Sequence, residues 1–362
     1  MAVFRAKSFD NHETVVFCHD RDSGLKAIIA VHDTTLGPAL GGCRMWPYAS
    51  EEEALDDVLR LSRGMTYKSA ISGIDHGGGK SVIIGDSRTD KTDALFEALG
   101  RFVNDQGGQY IVAEDVGTSV PDMEIVRRTT RHVAGIAEGG VGDPSPATAW
   151  GVFHGIRAAV RHKLGRDNLN DVKVAVQGLG HVGIILCQHL AEAGAKLIVS
   201  DLNDDAVRSA QQKFGATACS ADAIYDQNVD VFAPCALGAV INDDTLPRIK
   251  AQVIAGSANN QLAEDRHGQV LADRGILYAP DYVINAGGII VISHEGAKYD
   301  KQSAFDHVAG IYETLDRIFI RSAADGQPPN EIADRMAEER IAKIRADRAE
   351  GPTTTKRMAA SA

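Results

Sequence analysis

One segment in the second half of the chain constrains the fold more than any other. An apolar strand, Val172–Gln177, leads into the sequence GLGHVG at 178–183, and a helical pattern follows at Ile184–Ala193. A second apolar strand, Lys196–Ser200, ends at Asp201. The pattern G-x-G-x-x-G between a strand and a helix, with an acid about 20 residues further on, is typical of a dinucleotide-binding βαβ unit.

Each part of this motif has a physical role. The glycines let backbone amides and the helix N-terminus approach a pyrophosphate. Asp201 is suited to accept hydrogen bonds from a pair of ribose hydroxyls, and its charge repels a 2′-phosphate. The nearest following arginine, Arg208, is not adjacent. The sequence therefore favours NAD over NADP.

Three further strands are predicted after this unit, at Val229–Phe232, Val253–Ala255 and Ile276–Tyr278. A polar or glycine-rich turn follows each of them, and in a parallel sheet such turns line the ligand-binding edge. Asparagines in these turns are candidates for holding a nicotinamide ring, although ordinary turn asparagines are an equal alternative. The candidates are Asn259, Asn260 and Asn285.

The first half of the chain contains two lysines, Lys68 and Lys80, with three glycines at 77–79 directly before the second. Three consecutive glycines are unfavourable inside a helix or strand, so a tight loop around a small molecule is predicted. A lysine that loses solvent there has a lowered pKa and can act as a base. The alternative is a glycine loop with two solvated lysines.

Local patterns place these lysines among regular elements. Strands are predicted at Val15–Cys18 and Leu25–Val31, and a helix from about 51 to 64 would bring Lys68 just past its C-terminal end. A strand from Tyr110 ends in two carboxylates, Glu114 and Asp115. A carboxylate at this position is common in catalysis, and it is also a common N-cap of a following helix.

Composition bounds the class of protein. A length of 362 residues favours two domains, and a net charge of −11 argues against nucleic-acid binding, which needs a concentrated basic face. No apolar run approaches the roughly 18 residues of a spanning helix, and the N-terminus lacks a signal-peptide pattern. The five cysteines lack metal-ligand spacing, which favours a reducing cytoplasm and no metal site.

The remaining helical patterns concern packing. A helix from Thr148 to about His162 is placed to bridge two domains, and two amphipathic helices close the chain, with apolar stripes at 305–318 and 332–344. These stripes are predicted to be packing or subunit-contact surfaces. The polar end at 351–362 is expected to be disordered.

Taken together, the motifs resemble those of the glutamate, leucine, phenylalanine and valine dehydrogenase superfamily, and of the leucine dehydrogenases in particular, from about Val15 to Glu339. Besides the dinucleotide motif, the resemblance rests on PALGGCRMW at 38–46, MTYK at 65–68, GGGK at 77–80, AEDVGT at 113–118, FAPCALG at 232–238, GSANNQ at 256–261 and NAGG at 285–288.

The resemblance implies a two-domain α/β enzyme that catalyses NAD-dependent, reversible oxidative deamination of an aliphatic L-amino acid to its 2-oxo acid and ammonia. It implies an N-terminal substrate-binding and oligomerisation domain at 1–140, a C-terminal Rossmann-type doubly wound domain at 141–329, and a helix at about 330–350 that returns to the first domain. A cytoplasmic homo-oligomer, from dimer to octamer, without membrane or nucleic-acid partners, is expected.

The resemblance also implies roles for individual residues. Lys68 would bind the substrate α-carboxylate with help from the backbone of Gly41 and Gly42. Lys80 would polarise the carbonyl and handle the proton of the attacking water, and Asp115 would exchange protons with the amine. The expected side-chain pocket consists of Leu40, Met65, Ala113, Ile289 and Ile292. The expected cofactor-binding residues are Thr148, Gly178, Gly180, His181, Val182, Gly183, Asp201, Cys235, Ala236, Asn259, Asn260 and Asn285.

Two features bear on the substrate. Glutamate-specific relatives carry a lysine at the position of Leu40, so the second carboxylate of glutamate would be buried here without a partner. Branched-chain substrates are therefore expected. The run at 289–292 and Ser293–Glu295 depart from the pattern of leucine dehydrogenases, which leaves open a shift among valine, leucine and isoleucine or an unusual amino acid. A phenylalanine dehydrogenase, a reductase of unrelated substrate and a catalytically silent NAD-binding regulator are the alternatives.

Overall fold

The computed structural model describes residues 3–136, 141–296 and 299–350. The strands are β1 (Thr14–Asp20), β2 (Leu25–Asp33), β3 (Ala39–Trp46), β4 (Gly77–Ile84), β5 (Tyr110–Glu114), β6 (Lys173–Gln177), β7 (Lys196–Ser200), β8 (Thr217–Ala218), β9 (Val231–Pro234), β10 (Val253–Ile254) and β11 (Leu277–Tyr278). The α-helices are α1 (Glu51–Ile71), α2 (Asp93–Asp105), α3 (Val120–Arg127), α4 (Ser145–Leu164), α5 (His181–Glu192), α6 (Asp204–Phe214), α7 (Arg266–Asp273), α8 (Asp281–Ile284), α9 (Gly287–Ser293), α10 (Lys301–Ala309), α11 (Ile311–Asp325) and α12 (Pro329–Glu350).

The first half forms a mixed five-stranded sheet in the order β1-β2-β4-β3-β5. The pairs β1–β2 and β2–β4 are antiparallel, whereas β3 is parallel to both β4 and β5. Apolar residues of α1, such as Leu55 and Val58, pack with Ile28 and Val82 of the sheet. A second cluster joins α2 and α3 to the sheet. The sheet is thus buried between helices, which fixes the strands that carry the candidate catalytic residues.

The prediction of a loop at the three glycines is wrong. Residues 77–79 and Lys80 lie in strand β4. A Cβ on Gly78 would lie 2.1 Å from Oγ1 of Thr66 in α1, and one on Gly79 would lie 2.6 Å from the ring of Tyr110. The glycines are needed because α1 and β5 approach the strand too closely for side chains, a tertiary effect that outweighs the low strand propensity of glycine.

Because of this crowding, Gly78→Ala is expected to destabilise the protein by about 1–3 kcal/mol or more, the usual cost of overpacking. Gly64→Ala is the matched control, since no atom lies within 4 Å of its added Cβ in α1. That change should stabilise the helix by up to about 1 kcal/mol. Urea unfolding of the two variants measures both effects, and equal midpoints would contradict the close approach of α1 to β4.

The second half forms a six-stranded sheet in the order β8-β7-β6-β9-β10-β11, and every pair in it is parallel. Numbered from β6, this is the order 3-2-1-4-5-6 of the Rossmann fold, which confirms the predicted doubly wound architecture. The strand order reverses between β6 and β9. Ligands of such sheets bind in the crevice at this switch point.

Helix α1 is longer than predicted. It begins after the N-cap Ser50, whose side chain accepts a hydrogen bond from the backbone N–H of Glu53, and it continues to Ile71. Lys68 therefore lies in its last turn instead of beyond its end. The extension past Gly64 occurs because the final turns are buried by tertiary packing, which includes Arg340 of α12 donating to the carbonyls of Ser69 and Ala70 at 3.1 and 2.9 Å.

The C-terminal half differs from its prediction at two points. The turn predicted at 280–288 contains helix α8 and the start of helix α9. The single helix predicted over the stripe at 305–318 is divided into α10 and α11 at Gly310. Helix α12 packs against α1 of the first half. None of the described helices is long and apolar enough to cross a membrane. The end at 351–362 lies outside the described residues.

Candidate active site

Lys80, in the central strand β4, lies in contact with Asp115, which directly follows β5. Nζ of Lys80 lies 3.0 Å from Oδ2 of Asp115, and the same oxygen accepts a hydrogen bond from Nε of Arg44 at 3.0 Å. The Lys80 side chain is 6 % exposed. Burial raises the pKa of Asp115, but the charges of Lys80 and Arg44 outweigh it and hold that pKa at about 2. The carboxylate is therefore ionised at neutral pH and faces two cations.

The turn after β5 fixes the position of Asp115. Its backbone N–H donates to Oγ1 of Thr118 at 2.9 Å, and that hydroxyl donates to the carbonyl of Cys43 in β3 at 2.8 Å. Gly117 has φ +82°, and a Cβ there would lie 2.0 Å from the carbonyl oxygen of Met45. The turn is thus pressed against β3, and Asp115 is not the N-cap of α3, because that helix has Ser119 at its N-cap position.

Lys68 reaches the same region from α1. Desolvation lowers its pKa to about 8, with a smaller effect from the positive charge of Lys80, while Asp281 and Asp115 oppose the shift. Within the described residues its ammonium group makes no hydrogen bond. Lys68 therefore has a lowered pKa but remains mostly protonated at neutral pH. Lys80, by contrast, is ion-paired with Asp115.

Asp281, on the far side of the cleft, was not singled out in the sequence. It begins α8 and its Oδ2 accepts the backbone N–H of Gln261 at 2.9 Å, while Oδ1 accepts that of Tyr282 at 2.6 Å. Burial raises its pKa, and the charge of Lys68 partly offsets this. The two halves of the chain thus place opposite charges across one cleft.

The residues of the expected side-chain pocket are apolar, and most of them pack into one extended hydrophobic cluster. Leu40, Met65, Ile289 and Ile292 belong to one hydrophobic cluster, although they come from β3, α1 and α9. Ala113 is buried and pairs with Gly42 in the β3–β5 register, but it lies outside that cluster. Gly41 is buried and packed so closely that a Cβ would lie 1.7 Å from the carbonyl oxygen of Gly79, so no larger residue fits there.

The segment that departs from related sequences has defined contacts. The Glu295 carboxylate accepts the backbone N–H groups of Gly135 at 3.0 Å and Val141 at 2.7 Å. Nε2 of His294 lies 3.0 Å from Nδ1 of His307, whose Nε2 lies 2.9 Å from the carbonyl oxygen of Ser72. These polar residues therefore connect α9 and α10 to the first half, whereas Ile289 and Ile292 supply the apolar surface.

The three glycines of the dinucleotide motif have separate roles. Gly178 has φ +97°, a conformation that favours glycine. No atom lies within 4 Å of a Cβ built on Gly180, the N-cap of α5, so its face is open to a ligand. A Cβ on Gly183 would lie 2.0 Å from the carbonyl oxygen of Gly178, so the helix packs tightly on the turn. The turn at Gly178, the open face at Gly180 and the close packing at Gly183 are together compatible with a pyrophosphate bound at the N-terminus of α5.

Asp201 lies directly after β7 and reaches this turn. Its Oδ2 accepts the backbone N–H of Leu179 at 2.5 Å, and its Oδ1 accepts that of Asn203 at 2.7 Å. Arg208 forms an ion pair with Asp205 on α6. The acid is thus close to the glycine turn, and the nearest arginine is already paired.

The other predicted cofactor residues surround the switch point. The backbone N–H of Cys235 donates to the carbonyl of Gln177 at 2.7 Å. Ala236 packs against Gly178 so closely that a Cβ on Gly178 would clash with it. Nδ2 of Asn285 donates to Oδ1 of Asn259 at 2.7 Å.

Asn285 also carries an unused acceptor. Its Oδ1 is buried without a hydrogen-bond partner among the described residues, although the residue is only 6 % exposed. A buried acceptor without a partner is costly, and a carboxamide N–H of a bound nicotinamide would satisfy it. Asn260 differs from the prediction of a ring-holding residue, because its Oδ1 accepts from Arg60. His181 is exposed at the start of α5, Val182 packs in the hydrophobic cluster, and Thr148 lies beside Gly288.

Besides Asp281, sequence reasoning missed three charged residues that are connected to Asp115 by hydrogen bonds, namely Arg44, Asp57 and Arg60. Arg44 stands in the glycine-dense segment of β3, and the presence of a charge in an otherwise apolar strand was a usable signal. Asp57 and Arg60 lie on the partly exposed face of α1, where charged residues are ordinary, so no local signal marks them. Among the described residues no cluster of three metal-ligating side chains is found.

Comparisons with known proteins cover nearly the whole chain. Residues 12–132 match the family model described as Glu/Leu/Phe/Val dehydrogenase, dimerisation domain. Residues 139–204 and 199–325 match the model described as Glutamate/Leucine/Phenylalanine/Valine dehydrogenase.

Individual relatives agree with these models. The chain is 55 % identical to the leucine dehydrogenase of Thermoactinomyces intermedius over 350 residues, 96 % of either protein. It is 49 % identical to the valine dehydrogenase of Streptomyces albus over 342 residues, 93 % of this chain and 94 % of the relative. The crystal structure of L-tryptophan dehydrogenase from Nostoc punctiforme is similar with a TM-score of 0.82 and 47 % identity, over 92 % of this chain and 97 % of that one.

Proposed function

The chain belongs to the glutamate/leucine/phenylalanine/valine dehydrogenase family, and from this premise we propose that it deaminates branched-chain aliphatic L-amino acids. The reaction is the NAD-dependent, reversible conversion of leucine, valine or isoleucine to the 2-oxo acid and ammonia. One observation carries the proposal: Lys80 pairs with Asp115 close enough to Lys68 to affect its charge, and the side chains expected to line the pocket, such as Leu40 and Ile289, offer no charge for a second substrate carboxylate.

The proposed roles follow from the positions of the charges. Lys68, mostly protonated at neutral pH, binds the α-carboxylate together with backbone N–H groups of Gly41 and Gly42. The ionised Asp115 accepts a proton from the substrate amine. Lys80 polarises the carbonyl at the α-carbon and transfers the proton of the attacking water. A bound NAD accepts the hydride from the α-carbon.

Charge balance explains how Lys80 can act as a base. In this structure its ammonium group is ion-paired with Asp115. A substrate ammonium group that binds beside Asp115 adds a positive charge near Lys80 and competes for the same carboxylate. Substrate binding therefore weakens the contact between Lys80 and Asp115 and frees the Lys80 amine group for the attacking water.

The hydrophobic cluster supports the substrate class. Leu40 is 2 % exposed and Ile289 is 8 % exposed, so a carboxylate or ammonium at the end of the substrate side chain would be desolvated without a partner. Valine, leucine and isoleucine present only methyl and methylene groups to this surface. The alternative substrates are phenylalanine or an unusual amino acid, and the alternative function is an NAD-binding regulator without activity.

The wider proposal concerns organisation. We assign residues 1–140 and the helix at about 330–350 to a substrate-binding and oligomerisation domain and residues 141–329 to an NAD-binding domain, with the active site in the cleft between them. The protein acts in the cytoplasm as a homo-oligomer on small molecules, and it involves neither membrane nor nucleic acid.

A substrate panel tests the proposal. NADH formation is measured with L-leucine, L-valine, L-isoleucine, L-phenylalanine, L-tryptophan and L-glutamate at saturating NAD. We expect the three branched-chain amino acids to give the highest kcat/KM. Higher activity with an aromatic amino acid would overturn the substrate class, and NADH binding without turnover of any amino acid would favour the silent regulator.

The cofactor preference gives a separate prediction. Replacing Asp201 with serine removes the charge that repels a 2′-phosphate, so the ratio of kcat/KM for NAD to that for NADP should fall by about 10- to 100-fold. Steady-state kinetics with both cofactors measure the ratio. Asp205→Ser, on the neighbouring helix, is the control and should leave NAD use unchanged. An unaltered ratio in the Asp201 variant would contradict its placement at the ribose.

A further inference from the structure

A row of polar side chains crosses the cleft from Asp115 to the opposite half of the chain. Arg44 donates to Oδ2 of Asp115 and, through Nη1, to Oδ2 of Asp57, both at 3.0 Å. Oδ1 of Asp57 accepts from Nη2 of Arg60 at 2.7 Å. Nη1 of Arg60 then donates to Oδ1 of Asn260 at 3.2 Å. Every link is within hydrogen-bond distance, so the row is continuous.

Its centre is buried and fully partnered. The side chains of Arg44 and Asp57 are 18 % and 15 % exposed. Asp57 also accepts the hydroxyl of Tyr48 at 2.7 Å. Burial raises the pKa of Asp57, but the hydrogen bond from Tyr48 and the charges of Arg44 and Arg60 outweigh it, so the pKa lies below its usual value. Hydrogen bonds to a partly buried carboxylate are strong and directional, so Asp57 holds both guanidinium groups in fixed orientations.

The last link joins the two halves. Arg60 projects from α1, whereas Asn260 follows β10, and the turn that contains it is fixed to the second sheet. The carbonyl of Asn260 accepts the backbone N–H of Ala239 at 2.7 Å, and the next residue, Gln261, donates its N–H to Asp281. The Arg60 side chain is 46 % exposed and Asn260 is exposed as well, whereas Arg44 and Asp57 are largely buried. This link therefore breaks first when the cleft opens.

We propose that Arg44, Asp57 and Arg60 are positioning residues for the reaction, which fix the carboxylate of Asp115 and make its position depend on closure of the cleft through Asn260. The inference rests on the proposed function. Closure of a dehydrogenase cleft excludes water from hydride transfer. The hydrogen-bonded row from Asp115 to Asn260 is complete only when the cleft is closed. It therefore orients Lys80 and Asp115 at the moment when the cofactor-binding half reaches the substrate.

Variants of Arg60 test the link. Arg60→Gln is expected to lower kcat for leucine oxidation by about 10- to 100-fold, the range for a small misplacement at a reacting centre. NADH affinity, measured by fluorescence titration, should change by less than about threefold, since the binary complex does not need this contact. Arg60→Lys keeps a charge beside Asp57 but has one donor group, and it should show an intermediate kcat.

The matched control is Arg101→Gln. Arg101 has similar exposure, 53 %, and its one ion-pair partner among the described residues is Asp20, at 3.3 Å, away from Asp115. Its variant should therefore retain wild-type kcat. Equal kinetics of Arg60→Gln and Arg101→Gln would overturn the proposal. A wild type that oxidises no amino acid would instead refute the proposed function, and the two failures are therefore distinguishable.

A double-mutant cycle separates positioning from a merely structural role. Asn260→Gly removes the acceptor and tolerates the backbone at this position, where φ is +51°. If the two side chains act through each other, kcat of the double variant should equal that of the worse single variant. Losses that multiply would show that Arg60 and Asn260 act independently and would overturn the cross-cleft link.

Discussion

Replacing Lys80 with alanine is expected to lower kcat for leucine oxidation by about 10²- to 10⁴-fold, the usual contribution of a general acid–base group. The reason is geometric. Lys80 is 5 % exposed and its Nζ lies 3.0 Å from Asp115. Among the described residues, the other cation that contacts this carboxylate is the Arg44 guanidinium, which remains protonated and cannot act as a base. The variant should retain NADH binding, because Lys80 lies on the first sheet and the glycine motif on the second.

The same variant should respond to added amines. A truncated side chain leaves a space beside Asp115 that a small primary amine such as ethylamine can enter. Activity in the oxidative direction is therefore expected to rise with amine concentration. Loss of one partner of a buried ion pair is destabilising, so thermal unfolding is measured in parallel.

A lysine–aspartate pair elsewhere provides the control. Nζ of Lys91 lies 2.5 Å from Oδ2 of Asp122, and their side chains are 29 % and 11 % exposed. Lys91→Ala should lower stability without altering kcat for the folded enzyme. If Lys80→Ala kept wild-type kcat, or if Lys91→Ala lost as much activity, the assignment of Lys80 as an acid–base group would be wrong.

The sequence was most informative where a site is built from one local segment. The strand, glycine turn, helix and acid at 172–201 follow from local geometry, and the structure places Gly178, Gly180 and Gly183 in the three roles the motif requires. The parallel sheet around them was predicted because apolar strands alternate with helices. The resemblance to known dehydrogenases also selected Lys80 and Asp115, which then lie in direct contact.

Prediction failed where distant parts of the chain decide the local structure. Propensity alone argues against three glycines in a strand, but the backbone of Thr66 and the ring of Tyr110 leave no space for side chains at Gly78 and Gly79. Helix α1 passes Gly64 because α12, from the other end of the chain, covers its last turns. Such packing has no signature within a short window of sequence.

Asp57 and Arg60 illustrate a further limit. On α1 they are three residues apart and form an ordinary helical ion pair in any sequence-based reading. Their significance depends on Arg44 in β3 and on Asn260, 200 residues away from Arg60. Some residues of the site are thus marked by local sequence motifs. Others are recognised only from contacts between elements that the folded chain brings together.

Replacing Lys68 with alanine is expected to lower kcat/KM for the 2-oxo acid by roughly 30- to 4000-fold, since truncating one partner of a buried charge pair costs about 2–5 kcal/mol. The effect should fall mainly on KM, because the ammonium group binds the carboxylate in the ground state as well as in the transition state. NADH affinity should be unchanged. A loss confined to kcat would contradict the proposed role in carboxylate binding.

The pH dependence of the wild type tests the same lysine without mutation. Desolvation lowers the pKa of Lys68 to about 8, so the charged form that binds carboxylate is present below this pH and is lost above it. KM for the 2-oxo acid at saturating NADH and ammonia should therefore rise as the pH increases beyond about 8. The 2-oxo acid is the appropriate probe because, unlike the amino acid, it has no amine that titrates in this range.

Lys68→Arg is the matched variant for this experiment. The guanidinium group stays protonated throughout the accessible pH range, so KM should be higher than in the wild type but nearly constant between pH 7 and about pH 9.5. The contrast between the two profiles isolates the titration of residue 68 from that of ammonia and of other groups in the cleft. A wild-type KM that stays constant to about pH 9.5, or an identical rise in Lys68→Arg, would show that another group controls carboxylate binding.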